Sequence, residues 1–246
     1  TMLARTLPGL LPRLERREAI DVTRIHSAAG LRVGTGLACR RPFRAPHHTI
    51  TTAALVGGGT GRPRPGEVTL AHRGLLFLDE LGEFATAALD ALRQPLEERI
   101  VRIARGGTSL SFPSEFLLVA CSNPCPCGMG PPRCRCDDAR LARYRRRLSG
   151  PLLDRFDLRL ALAPASADET TGPCSAEGRS RVLDALERQR RRFRGSAWER
   201  NASIPAAALE TAAPLAAEAR HELCAAVTHL GASGRGFAIL WRVART

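Results

Sequence analysis

The run Leu75-Leu76-Phe77-Leu78-Asp79-Glu80 decides how this 246-residue chain is read. Four consecutive apolar residues predict a strand buried on both faces, as in parallel sheets covered by helices. Two carboxylates follow at the strand's C-terminal end, which is where open α/β sheets bind ligands. Paired acids there suit a nucleoside triphosphatase, the first holding magnesium through its water shell and the second polarising an attacking water. An ordinary strand-to-helix turn has the same composition, so the neighbouring segments must decide.

Working outward, Glu67–Leu70 reads as a companion strand, separated from Leu75–Leu78 by a turn at Arg73-Gly74. Phe84–Arg99 reads as one helix, and Ile100–Arg105 with Thr108–Phe112 alternate about Gly106-Gly107 as a β-hairpin does. Phe116–Cys121 reads as a second buried parallel strand, ending in Ser122-Asn123, whose amide is suited to orient the same water. Toward the N-terminus, Leu3, Leu7, Leu10, Leu11 and Leu14 keep helical spacing that Pro8 and Pro12 interrupt, and Glu15–Ala29 predicts a second helix. Arg40–Pro65 is turn-rich and carries His47-His48, and two adjacent imidazoles alone do not predict a metal site. An arginine-rich helix is expected over Asp137–Leu148 and a strand over Leu158–Leu162, with Arg155 between acids at their junction. Beyond a Pro-, Ser-, Thr- and Asp-rich stretch at 163–178 everything reads as helical, and Ser233-Gly234-Arg235 opens the last helix, a start that favours phosphate. The pattern is an α/β domain followed by a small helical one.

Hydrophobic residues make up 44% of the chain, enough for a core, and no apolar run approaches the roughly 18–20 residues of a membrane helix. The net charge is +13, and all 37 cations are arginine. A genome that spells every surface cation as arginine accounts for that, yet the planar fork still grips phosphate at two points, and the charge favours a polyanionic partner such as nucleic acid. The clusters Arg143, Arg145, Arg146, Arg147 and Arg188–Arg194 read as solvated faces as readily as nucleic-acid contacts. Of eight cysteines, Cys39, Cys121, Cys174 and Cys224 are scattered and are expected to be small buried apolar residues. Cys125, Cys127, Cys134 and Cys136 instead form two C-x-C pairs joined by a Gly/Pro turn, a spacing that can gather four sulfurs around tetrahedral zinc.

These segments together resemble one family. Arg41-Pro-Phe-Arg-Ala-Pro-His-His-Thr, Ala54-Leu-Val-Gly-Gly-Gly, Pro65-Gly-Glu-Val-Thr-Leu-Ala-His, Leu76-Phe-Leu-Asp-Glu-Leu, Leu92-Arg-Gln-Pro-Leu-Glu, Asn123-Pro-Cys-Pro-Cys-Gly and Arg147-Leu-Ser-Gly-Pro-Leu-Leu-Asp-Arg are similar to the magnesium-chelatase-like AAA+ ATPases of the YifB/ComM type. The resemblance runs nearly from end to end. It implies an AAA+ P-loop core over residues 1–163 with a zinc-binding insertion at 123–137, a linker at 164–178 and a helical lid domain at 179–246. Asp79 and Glu80 match the Walker B pair, Asn123 the sensor 1 residue, Arg155 the arginine finger and Arg235 the sensor 2 arginine. Thr1 matches the Walker A threonine, a direct magnesium ligand. The chain would then begin inside that motif, without its lysine, glycine loop and preceding strand, and alone it is expected neither to fold well nor to hydrolyse ATP.

The hairpin, with Arg102 and Arg105, matches one that in related hexameric helicases faces the pore and touches the nucleic-acid backbone, a contact that needs cations rather than base readout. The function implied is a cytoplasmic, ring-hexameric ATPase using ATP, Mg2+ and a structural Zn2+, acting in DNA branch migration on single-stranded or branched DNA. Two alternatives stay open: the motor subunit of a magnesium chelatase, which the cysteine cluster argues against, and a zinc-stabilised nucleic-acid binder without ATPase activity.

Overall fold

A computed structural model describes residues 2–31, 34, 36–59, 63–105, 108–148, 150–162, 172 and 174–246. The chain forms two compact units, Thr1–Arg155 and Phe156–Thr246. The first opens with helices α1 (Met2–Leu10) and α2 (Arg16–Ala28), strand β1 (Phe43–Arg44), helix α3 (Thr52–Val56), the two-residue strands β2 (Gly57–Gly58) and β3 (Arg64–Pro65), and helix α4 (Glu67–Leu70). Strand β4 (Leu75–Leu78), helices α5 (Thr86–Ala91) and α6 (Arg93–Glu98), the hairpin β5 (Ile100–Arg105) and β6 (Thr108–Pro113), strand β7 (Leu117–Ala120), and helices α7 (Asp138–Arg147) and α8 (Gly150–Leu153) complete it.

The central sheet has the order β1-β4-β7 and both pairings are parallel. Leu75, Leu76 and Leu78 are 0% exposed and Phe77 is 2% exposed, so β4 is covered on both faces as its unbroken apolar run requires. Successive side chains alternate between faces. Leu75 and Phe77 share one of them with Ala4 and Leu7 of α1, Phe43 and Val119. This is the parallel α/β arrangement read from the sequence.

Several details depart from that reading. Glu67–Leu70 is helical, closed by Leu70 N–H to Gly66 O and Ala71 N–H to Glu67 O, each 2.9 Å. Val68, Thr69 and Leu70 are all buried, and a short, wholly buried run has no periodicity to tell strand from helix. The helix expected over Phe84–Arg99 is two, α5 and α6, because Pro95 has no N–H to continue the ladder. Leu158–Leu162 forms no strand, and its three leucines are exposed; their alternation meets no sheet face in the helical unit that holds them. Strand β7 pairs in parallel with β4 as expected and, among the described residues, with no other strand, and its Leu117 is 46% exposed. Of the scattered cysteines, Cys39, Cys174 and Cys224 are exposed, against the expectation of buried apolar residues, whereas Cys121 is half-buried and packs on the Ala4, Leu75 and Phe77 cluster.

A charged network ties the sheet's N-terminal end to α2. The α2 start is closed by a capping box between Glu15 and Glu18. The Glu18 carboxylate also accepts Arg41 Nη2 at 2.8 Å, and Arg41 reaches the carbonyls of Pro12 and Arg73, each at 2.7 Å. Arg73 pairs in turn with Glu115 at 2.6 Å. Burial alone would raise the Glu18 carboxyl, but the Glu15 N–H and the Arg41 guanidinium hold it below its ordinary range. Removing one partner of such a buried pair strands the other, at about 3–5 kcal/mol. On the next strand over, Arg44 forks onto Glu67 at 2.5 and 2.6 Å, joining β1 to α4.

In the second unit, helices α9 (Ser175–Arg192), α10 (Leu209–Ala212), α11 (Ala217–Leu230) and α12 (Gly234–Ala244) pack around Phe193, Ile204, Leu209, Ala213, Leu223, Ala238 and Trp241. The buried Trp241 indole satisfies its one donor on Ala213 O at 2.9 Å. The expected helical C-terminal region is present. Among the described residues no helix is long and apolar enough to cross a membrane.

His72 makes the first unit acid-sensitive. It is buried, its Nδ1 accepts the Glu115 N–H at 3.1 Å, and burial, reinforced by the Arg73 cation, pushes its pKa down to about 4. The native ring is neutral, whereas the unfolded chain takes up a proton near pH 6.5. Stability is therefore full above about pH 6.5 and falls as pH drops toward 4, by roughly 3 kcal/mol at most. Urea denaturation of the full-length protein should show this decline, and His72→Gln should flatten it. A midpoint unchanged between pH 7 and 5 would contradict the assignment.

Candidate active site

Three parallel strands deliver polar residues to one end of the sheet. Past β1 the chain runs to His47-His48, past β4 to Asp79-Glu80, and past β7 to Ser122-Asn123. The last two stay in register beyond the strands, since Cys121 N–H donates to Leu78 O at 3.0 Å and Leu81 N–H to Cys121 O at 2.8 Å. Asp79 and Glu80 thus emerge beside the Ser122-Asn123 turn, and the sheet itself brings these predicted residues together.

Glu80 adopts φ 53° and ψ 50°, a left-handed conformation that a non-glycine residue enters at a cost of roughly 1–2 kcal/mol. Its N–H donates to Asp79 Oδ1 at 3.1 Å, and its half-exposed carboxylate lies 3.2 Å from His48 Nδ1. The His48 ring lies tilted by 35° against His47 at 4.0 Å between centroids and stands edge-on to Phe84 at 6.4 Å. The sequence reading weighed these histidines only as metal ligands. The signal it passed over is that a residue following β1 in a parallel sheet must arrive beside one following β4.

Asn123 is held through its backbone. The Tyr144 hydroxyl of α7 donates to Asn123 O at 3.1 Å and lies 3.0 Å from Ser122 Oγ. Tyr144 lies flat over Gly82, where an added Cβ would stand 2.3 Å from the ring. Arg147, one turn further along α7, donates to Gly82 O at 3.0 Å and to Glu83 at 3.2 Å. Helix α7 is therefore bolted to the turn after Glu80 and to the turn after β7 at once. No local pattern in the sequence marks Tyr144 for this part.

Between β7 and α7, Cys125, Cys127, Cys134 and Cys136 converge until their sulfurs all lie within 4.8 Å of one another. Tetrahedral zinc with bonds of about 2.3 Å needs sulfurs about 3.8 Å apart, so the set fits. The loop is built for close approach: Gly128 and Gly130 take φ 77° and 62°, and Gly130 N–H donates to the buried Cys125 sulfur at 3.3 Å. Without a metal the four share charge unevenly: backbone N–H groups of Arg135 and Met129 bring the Cys127 thiol down to about 6, while Cys134 and Cys136 are pushed up by desolvation and by the neighbouring sulfurs. Just past Cys136, the Asp137 side chain caps α7 by accepting the Arg140 N–H at 2.7 Å.

Arg155, at the end of the first unit, donates through Nη2 to Glu97 at 2.5 Å and through Nη1 to Pro151 O. Arg102 on β5 is paired with Glu98 and half-exposed, while the Arg105 side chain lies outside the described residues. Arg235 is exposed near the start of α12 in the second unit. Thr1 lies outside the described residues.

Comparison with known proteins agrees with this architecture. Residues 1–170 match the family described as magnesium chelatase, subunit ChlI, and residues 172–246 match the one described as magnesium chelatase, subunit ChlI C-terminal. The chain is 48% identical over 209 residues to an uncharacterised protein of Mycobacterium tuberculosis, which covers 83% of this chain and 42% of the relative. It is 40% identical over 254 residues to the uncharacterised protein YifB of Escherichia coli, covering 100% of this chain and 49% of the relative. With the competence protein ComM of Haemophilus influenzae it shares 41% identity over 252 residues, 100% of this chain and 48% of the relative. The chain spans about half the length of the curated relatives it matches.

The Tyr144–Gly82 contact is open to a direct test. Gly82→Ala must displace the ring and with it the Asn123 turn, at about 1–3 kcal/mol, whereas Tyr144→Phe keeps the packing and loses about 0.5–1.5 kcal/mol with the hydroxyl. Denaturation midpoints of the two variants in the full-length protein measure the order. A neutral Gly82→Ala would show that α7 is not locked as described.

Proposed function

The chain belongs to the magnesium chelatase subunit ChlI family, which has the AAA+ fold, and from that premise we propose that it is the ATP-hydrolysing part of a ring-forming motor working on DNA. The observation that carries the reading is the arrival of Asp79, Glu80 and the Ser122-Asn123 turn at one end of parallel strands. Carboxylate oxygens at strand ends are hard donors that suit magnesium. Bound with ATP, that ion supplies charge neutralisation on the phosphates.

In this reading Asp79 holds the magnesium of MgATP through its water shell and Thr1 is a direct ligand. Glu80 polarises the attacking water and takes its proton, and Asn123 orients that water. Arg155 serves the nucleotide of a neighbouring subunit and Arg235 contacts the nucleotide from the helical lid. The domains are the core at 1–163, the linker at 164–178 and the lid at 179–246. Cys125, Cys127, Cys134 and Cys136 hold a zinc ion; four thiolates leave no open position, so its part is structural. It pins the loop that joins Asn123 to α7.

DNA is the substrate favoured by the net charge of +13 and by likeness to a protein named for competence. Arg102 and Arg105 on the hairpin touch the backbone in the pore of a hexamer, and nucleotide turnover moves that hairpin to drive branch migration in the cytoplasm.

ATPase activity of the full-length protein, with and without branched DNA, tests the proposal. Turnover should rise with DNA and fall by at least about 10²-fold in Glu80→Gln. Turnover indifferent to DNA would favour a protein-remodelling motor of chelatase type. No turnover at all would leave a zinc-stabilised nucleic-acid binder.

A further inference from the structure

The segment Leu92–Glu97 has no part in the mechanism above, yet its last residue touches one that does. Glu97 lies in the final turn of α6, and its carboxylate accepts Arg155 Nη2 at 2.5 Å across 58 residues of sequence. The Pro151 carbonyl of α8 takes Nη1 of the same guanidinium. The Arg155 side chain is 11% exposed, and its Nε is buried with no hydrogen-bond partner among the described residues. An arginine left to solvent samples many rotamers, worth about 2 kcal/mol of entropy, and this one is confined by a carboxylate, a carbonyl and packing around Nε.

We propose that Glu97 is a positioning residue for Arg155: it fixes the guanidinium in a single orientation before the neighbouring subunit's nucleotide arrives. The inference rests on the reading of Arg155 as a group acting in trans. The two contacts do not exhaust the guanidinium, because each η nitrogen still carries a second N–H for an anionic oxygen. Fixing the fork beforehand removes an ordering cost from the reacting complex. Arg99 turns the chain in a left-handed conformation, its N–H on Pro95 O at 3.0 Å, and β5 begins at the next residue. The neighbouring Glu98 pairs with Arg102 on that strand. The turn that holds the finger is thus also the turn that launches the hairpin, and a hairpin displaced by DNA bears directly on Glu97.

Mixed rings of the full-length protein test this. Glu97→Ala should lower kcat about ten- to a hundredfold with KM for ATP changed less than about twofold, and Glu97→Gln, which keeps an acceptor, should lose less. Mixing Glu97→Ala chains with Glu80→Gln chains should restore activity, because Glu80→Gln subunits supply a correctly held Arg155 to sites whose own Glu80 is intact. If Glu97→Ala does not fold, Glu97→Gln carries the same mixture, and a merely structural role would leave either mixture inactive. Arg155→Ala mixed with Glu80→Gln is the reference. Failure of that pair to recover overturns the trans reading itself. Recovery there without recovery of the Glu97 variants, or wild-type or raised activity in Glu97→Ala alone, overturns the role of Glu97.

Discussion

Everything at the candidate site depends on the parallel pairing of β4 with β1 on one side and β7 on the other. Parallel strands end at the same edge, so the residues after each strand are gathered there whatever their separation in sequence. Four buried apolar residues hold β4 in place, and a shift of one residue would turn Leu75 and Phe77 out of the face they share with α1. The hydrophobic run is therefore what aims Asp79 and Glu80. The buried ion pairs of Glu18, Arg41 and Arg73 secure the opposite end of the same strands.

The site's second support comes from α7. Its Tyr144 and Arg147 grip the turns after β7 and β4, and the cysteine loop leads into its capped first turn. The four gathered sulfurs lie in the connection between β7 and α7, where the proposed zinc would stiffen the path from Asn123 to α7. Arg155, proposed to act beyond its own chain, is likewise held by neighbours within the first unit, Glu97 and Pro151. Glu80, the Asn123 backbone and Arg155 thus each have an identifiable hold in the structure.

Much of this was legible in the sequence because it rests on local patterns. An unbroken apolar run names a buried strand, alternation about Gly106-Gly107 names a hairpin, and close C-x-C spacing names a sulfur cluster. The misreadings share one physical cause: burial by distant partners. Val68–Leu70 is buried from all sides and so carries no period that tells helix from strand. Pro95 was the missed local signal that splits the helix before the hairpin. His48, Glu97 and Tyr144 matter through contacts 21 to 62 residues away, which no spacing rule can announce.

The central claim is that the ends of β4 and β7 form the hydrolytic edge of a nucleotide site. A structure of the full-length assembly with magnesium and a non-hydrolysable ATP analogue tests it most directly. The account predicts that the terminal phosphate faces Glu80 and Asn123, that the metal's water shell meets Asp79, and that Arg155 of the adjoining subunit reaches the same phosphate. A nucleotide bound away from Asp79 and Glu80, or approached by no residue of a second subunit, would contradict it.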